Sequence, residues 1–122
     1  MTQYLLSLPH DTDESPTLES MAPEDAEAAM AAAGTFLEEL MGSGAFVFAG
    51  GLHPPSTAIT IDNTGESLQR VEGPFVDAPE YLGGFWVIDV ATHEDAVSWA
   101  AKASKALTSR VEVRALQEAP EQ

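Results

Sequence analysis

Residues 50–90 read GGLHPPSTAITIDNTGESLQRVEGPFVDAPEYLGGFWVIDV, and the rest of the chain is organised around this stretch. Within it, residues 57–62 alternate between apolar and polar side chains, which is typical of a half-buried strand. The NTG turn then leads into a return strand near residues 67–71, so the middle of the stretch predicts a β-hairpin at an edge or rim. Because a hairpin brings its two ends together, we expect the GGLHPPST loop before it and the EGPF and LGGFW loops after it to lie close in space.

Upstream of this stretch the sequence predicts a strand and a helix. Residues 4–8 form a mostly apolar run that predicts an interior strand, which ends at Pro9 before a polar loop over residues 10–20. Pro23 opens a helix that ends at the glycines of residues 42–44, because proline suits the first helical position and glycine suits the end. We expect its buried face to consist of residues spaced three or four apart, namely Ala26, Met30, Ala33, Leu37 and Leu40.

The remaining elements are three strands and a second helix. Residues 45–49 and 85–90 are rich in aromatic and β-branched side chains and predict strands. Thr92 and Asp95 have the three-residue spacing of a capping box, which marks the start of a helix. Residues 111–115 alternate as a last strand. The buried stripe of the second helix is expected to comprise Ala96, Ala100, Ala103 and Leu107.

The order of elements favours an α+β fold, a ferredoxin-like antiparallel sheet with both helices on one face and the hairpin inserted between strands. Residues 1–116 are expected to form this single domain and residues 117–122 a C-terminal tail. The second face of such a sheet also needs cover, and bulky apolar side chains on it would have to meet another subunit. We therefore expect a homodimer.

Composition excludes several classes of function. The chain has 122 residues, no cysteine and a net charge of −15, so it has no disulfide and no thiol nucleophile, and we expect a cytoplasmic protein. Because nucleic-acid binding uses Lys and Arg to displace counterions, direct binding to DNA or RNA is not expected. No apolar run approaches the roughly 20 residues of a membrane span.

Three ordered motifs carry a resemblance to a known family. They are GLHPPSTA at residues 51–58, EGPF at residues 72–75 and EYLGGF at residues 80–85, followed by a strand, a helix bearing Ala and Trp, and a closing VEVR strand. Together they resemble the YCII-related family in its DGPF-domain branch. The resemblance implies a ferredoxin-like domain that pairs into a dimeric α/β barrel with a pocket at the sheet face, and most members have no established activity.

Two positions depart from the family pattern. The motif that names the branch begins with Asp, and Glu72 stands at that position, which keeps the charge and lengthens the side chain by one methylene. The histidine that the YciI branch carries near its first helix has no counterpart between residues 23 and 41. The His and Asp pair of that branch is therefore not transferred to this chain.

The candidate catalytic residues are His53, Asp77 and Glu80. An imidazole exchanges protons near neutral pH, and one that faces carboxylates across two loops can perform general acid–base catalysis on a small molecule. The alternative is that His53 only holds two turns together. A metal site that combines His53 with Asp77, Glu80 or Glu72 is weaker, because no second histidine fixes its geometry. No cofactor is expected. The glycines do not form a phosphate-binding loop, because no Gly-x-Gly-x-x-Gly pattern opens a helix and no nearby Lys supplies charge.

Two hypotheses for function remain open. The first is an enzyme-like or small-molecule-binding dimer whose pocket is lined by Phe48, Glu72, Phe75, Phe85 and Trp86. The second is a non-enzymatic dimeric module whose acidic surface meets a basic protein partner, in the sigma-factor and transcription context with which the family is associated. An inward-pointing His53 beside a closed cavity favours the first hypothesis, and an outward-pointing His53 favours the second.

Overall fold

The computed structural model describes residues 2–11, 22–76 and 80–117. The strands and helices in chain order are β1 (Thr2–Asp11), α1 (Pro23–Ser43), β2 (Phe46–Gly51), β3 (Ile59–Asp62), β4 (Gln69–Glu72), β5 (Glu80–Val90), α2 (His93–Leu107) and β6 (Glu112–Ala115), with a short 3-10 turn at Pro55–Thr57. In the described part of the chain neither helix is long and apolar enough to cross a membrane.

Four strands form one antiparallel sheet in the order β2-β5-β1-β6. With two helices between the strands, this order fits the ferredoxin-like α+β fold that the sequence predicts. Strands β3 and β4 pair with each other as a separate two-stranded antiparallel sheet. The core lies between the helices and one face of the four-stranded sheet, and its fully buried large side chains are Leu6, Leu40 and Ile88.

Helix α1 begins and ends where the sequence predicts, but it is rotated about its axis relative to the predicted face. Pro23 opens it, and Gly44 ends it with a left-handed φ of 83° and an N–H that donates to the carbonyl of Met41. Its buried residues are Phe36 and Leu40, while Met30 is 60% exposed. The prediction that Met30 belongs to the core is wrong, because the larger apolar ring of Phe36 turns its own side of the helix inward.

Helix α2 confirms its predicted cap and most of its predicted face. The Thr92 hydroxyl accepts a hydrogen bond from the Asp95 N–H (3.1 Å), and the Asp95 carboxylate accepts one from the Thr92 N–H (3.3 Å). These bonds satisfy two N–H groups that a helix start otherwise leaves without partners. The residues buried against the core are Ala96, Ala100 and Ala103.

Replacing Thr92 with alanine is expected to destabilise the protein by about 1 kcal/mol, because the hydroxyl that caps α2 is lost. Urea denaturation followed by circular dichroism measures this change. Ser98→Ala is the matched control, since Ser98 is exposed on the same helix and outside the cap. Equal stability of the Thr92 variant and the unmodified protein would contradict the capping role.

Two strands are longer than the sequence predicts. Strand β1 continues past Pro9 to Asp11, with a register shift between Leu8 and Pro9. A proline fits there because β6 pairs with residues 4–7 of β1, so among the described strands none on that side needs its missing N–H. Strand β5 begins at Glu80, so the LGGFW motif is part of a strand and the predicted loop there is wrong.

The hairpin of β3 and β4 is more exposed than the predicted half-buried strand. Ile59 is 46% exposed and Ile61 is 55% exposed, and every residue of β4 is exposed. Two hydrogen bonds join the hairpin to the residue after β4, because the Gly73 N–H donates to the carbonyl of Ala58 (2.7 Å) and the Thr60 hydroxyl donates to that of Gly73 (2.8 Å). The exposed apolar side chains of the hairpin have no cover among the described residues of this chain.

The turn of this hairpin depends on the charge of Asp62. The Asp62 carboxylate accepts hydrogen bonds from the Thr64 hydroxyl (2.6 Å) and N–H (3.0 Å), and these bonds hold the Asp62 pKa below its ordinary value. Because the Asp62 pKa is lower in the folded chain than in the unfolded chain, its ionised form stabilises the folded state at pH values above the unfolded-state pKa. This stabilisation is lost as the pH falls through the folded-state pKa. We expect the Thr64 amide NMR signal to follow this loss in acid. A signal that stays constant until the whole protein unfolds would contradict it.

Candidate functional site

His53 lies in the loop between β2 and the 3-10 turn, and its side chain is exposed. Hydrogen bonds fix the backbone on both sides of it. The Leu52 N–H donates to the carbonyl of Gly83 (2.8 Å), and the Thr57 hydroxyl and N–H both donate to the carbonyl of Pro54 (2.7 and 3.0 Å). The loop is thus fixed to β5, and it presents the imidazole to solvent.

The three acidic residues that the sequence places near His53 have different positions. Glu72 ends β4, is exposed, and forms an ion pair with Arg70 at 3.3 Å between Nε and Oε1. Asp77 lies outside the described residues. Glu80 begins β5 with its backbone opposite Asp11, and its side chain is also outside what the structure describes. Glu72 is therefore engaged by a neighbouring cation on its own strand.

The two glycine pairs of the 50–90 stretch lie side by side, in agreement with the predicted proximity of its ends. Gly51 is opposite Gly84 across the β2–β5 ladder, and Gly50 is opposite Phe85. A methyl group on Gly84 would lie 3.3 Å from the carbonyl oxygen of Gly50, which is tighter than ordinary contact. The absence of a side chain at Gly84 thus allows close approach of the strands that carry the His53 loop.

Gly84→Ala is expected to lower the free energy of unfolding by about 1–2 kcal/mol, because the added methyl group meets a backbone oxygen that its strand pairing holds in place. Chemical denaturation measures the loss. Gly51→Ala is the control, since a methyl group at Gly51 has no heavy atom within 4 Å, and we expect it to be neutral or stabilising by a few tenths of a kcal/mol. If the Gly84 variant is as stable as the Gly51 variant, β2 and β5 can accommodate a methyl group at Gly84 and the close approach does not require glycine.

The aromatic residues proposed for the pocket lie on opposite faces of the sheet. The rings of Phe48 and Phe85 are in contact, with 5.8 Å between their centroids, on the face away from the helices. The ring of Trp86 packs edge-on against Phe36 in the core, at 5.3 Å. Neighbouring residues of a strand point to opposite faces, so Phe85 and Trp86 do not line one pocket within a single chain. Phe75 is 87% exposed.

In the part of the chain that the structure describes, two cavities that lie elsewhere are not lined by His53. One, of about 390 Å³, is formed where the end of α1 and the end of β5 meet α2, and Asp89 and Lys102 contribute to its wall. The other, of about 440 Å³, lies between the two helices. The sequence alone points to neither, because each is built by residues that are far apart in the chain.

Asp89 is a polar residue that sequence reasoning missed. Its Oδ1 atom is buried and has no hydrogen-bond donor in the part of the chain that the structure describes. A buried polar atom is normally satisfied by protein or by water, so a donor from solvent or from another molecule is needed here. The sequence feature that could have identified Asp89 is its position, as an acidic residue between the buried Ile88 and Val90 of an otherwise apolar strand.

Comparison with known proteins agrees with the fold. The family model described as the YCII-related domain matches residues 3–119, which is nearly the whole chain. A search of the curated proteins finds no match. The antiparallel four-stranded sheet, the two helices and this match together show that the chain belongs to the YCII-related family.

Proposed function

We propose that the chain acts as a homodimer in which the uncovered faces of two four-stranded sheets meet to form a dimeric α/β barrel, with hairpin β3–β4 as an insertion. The observation that carries the proposal is Phe48, which is 57% exposed and lies against Phe85 on the sheet face that the helices leave open. An exposed aromatic ring that packs against a half-buried one on a regular surface is typical of the core of a protein interface.

The distribution of other exposed apolar side chains supports this arrangement. Soluble monomers rarely expose large contiguous apolar patches, and such patches mark interaction sites. An isolated two-stranded hairpin is at best marginally stable, so β3 and β4 would gain from a covering surface. Most of the large apolar residues that the structure shows as exposed fall between residues 47 and 82: Val47, Phe48, Leu52, Ile59, Ile61, Leu68, Val71, Phe75, Val76 and Leu82.

The dimer is proposed to bind a small organic molecule between the two sheets, in the sheet-face pocket that the resemblance to the DGPF-domain branch implies. Phe48 and Phe85 supply apolar walls, and His53 with Asp77 and Glu80 supplies the polar groups at the rim. In an acid–base reaction His53 takes or gives the proton, and the carboxylates orient its ring and stabilise its charged form. In the single chain His53 is exposed and lines neither described cavity, so this site would have to be completed by a second copy.

A fragment library screened by ligand-observed NMR tests the ligand site. Fragments that bind are expected to bind at least about tenfold more weakly to His53→Ala, because the rim loses its titratable group. His93→Ala is the control, since His93 is exposed at the start of α2 and lies outside the loop that carries His53. If His53→Ala retains the affinity of the unmodified protein for each bound fragment, His53 has no part in the site.

The second candidate function is a non-enzymatic interaction module, favoured by the exposed His53 and by the two cavities that it does not line. A net charge of −15 would attract a basic protein partner, in keeping with the transcription context of the branch. Pull-down from a lysate at increasing salt tests it. Captured basic proteins should be lost as added salt shortens the Debye length from about 30 Å to 3 Å. Capture that does not change with salt concentration would contradict an electrostatic partner.

A further inference from the structure

The groove between the two helices has an apolar floor. It has a volume of about 440 Å³, and the described residues that line it all belong to α1 and α2. Ala31 and Ala32 from α1 and Ala106 from α2 form its walls, and the ring of Phe36, which is 4% exposed, closes it from below. Small side chains on both helices leave a trough in which an alkyl chain contacts carbon atoms on several sides.

The rim of the groove carries positive charge in an otherwise acidic protein. Both lysines of the sequence, Lys102 and Lys105, line it. Lys102 is neutralised by an ion pair with Glu39, and its Nζ lies 4.9 Å from the ring centroid of Trp99. Lys105 is exposed and forms no ion pair within residues 2–11, 22–76 and 80–117. One ammonium group therefore remains available beside an apolar trough.

We propose that this groove binds a medium-chain alkyl carboxylate, with the carboxylate on the Lys105 ammonium and the chain along Ala32, Phe36 and Ala106. The charge of the whole protein repels anions, so an anion is retained only where a local cation and apolar burial act together. The volume lies within the range of about 300–1,000 Å³ that small-ligand sites occupy. The groove is on the helix side of the sheet, so it does not depend on the proposed dimer face.

Isothermal titration calorimetry with sodium octanoate tests the proposal, with octylammonium chloride as the probe of opposite charge. We expect saturable binding of one octanoate per chain with Kd of about 1 mM or lower, and binding of octylammonium weaker by at least about tenfold. Net charge alone would favour the cation. Octylammonium binding as tight as octanoate binding, or no saturable octanoate binding, overturns the proposal.

Two variants locate the site, and a third controls for net charge. Lys105→Glu, at an exposed position that tolerates substitution, and Ala32→Leu, which fills the trough, are each expected to weaken octanoate binding at least about tenfold. Arg70→Glu changes the net charge by the same amount as Lys105→Glu on the separate hairpin and should bind octanoate as the unmodified chain does. Circular dichroism verifies the fold of each. Unchanged affinity in Lys105→Glu, or equal loss in Arg70→Glu, overturns the proposal.

Discussion

Replacing Leu40 with alanine is expected to lower the free energy of unfolding by about 2–5 kcal/mol, the usual range for a large apolar side chain removed from a packed core. Leu40 is fully buried, and it lies one turn after Phe36 on the face of α1 that packs against the sheet. The loss combines the transfer free energy of the removed methylenes with the cavity that remains. Urea denaturation followed by circular dichroism measures it.

Met30→Ala on the same helix is the matched control. The sequence pattern places Met30 on the same buried face as Leu40, but the structure leaves it 60% exposed. Surface substitutions usually change stability by within about 0.5 kcal/mol, and alanine is a good helix former, so little change is expected. Equal losses in the two variants would mean that the predicted stripe was right and that α1 is rotated differently from the orientation described.

Phe48→Asp is expected to convert the proposed dimer to a monomer at micromolar concentration. An aspartate in place of Phe48 puts a charge on the open sheet face beside Phe85, and a charge that an interface buries without a partner costs several kcal/mol. Phe48 is more than half exposed in the single chain, so the substitution should leave the fold intact. Size-exclusion chromatography with light scattering gives the mass of each variant.

Met30→Asp is the control for this substitution. Met30 and Phe48 are exposed to a similar extent, at 60% and 57%, but Met30 is on a helix and Phe48 is on the open face of the sheet. Both variants gain one negative charge, so general repulsion between acidic chains affects them equally. Dissociation of the Met30 variant together with a dimeric Phe48 variant would place the interface on the helices.

Local signals in the sequence predict much of the fold. The capping box of Thr92 and Asp95 and the alanine stripe of α2 depend on spacing within one helix, and both are found as predicted. The wrong predictions concern positions where tertiary packing, and not the local sequence, determines whether a strand continues. Pro9 and the Gly83-Gly84 pair normally interrupt strands, but here Pro9 lies beyond the end of β6 and the glycines allow β2 and β5 to approach closely.

Less of the candidate site than of the fold can be predicted from the sequence. The proximity of the two glycine motifs depends on strand pairing, and it is found. Which face each aromatic residue occupies depends on register, and a shift of one residue exchanges Phe85 and Trp86 between the core and the open face. The groove beside Lys105 depends on the packing of two helices that are far apart in the chain, and no local pattern encodes it.

Sedimentation velocity of the unmodified protein over a concentration series tests the proposal that the uncovered sheet face binds a second copy of the chain. The chain has a mass of 12.9 kDa. We predict a single species of twice that mass throughout the micromolar range, which dissociates only on strong dilution. A species with the mass of one chain at every concentration would contradict the dimer and the ligand site between its sheets.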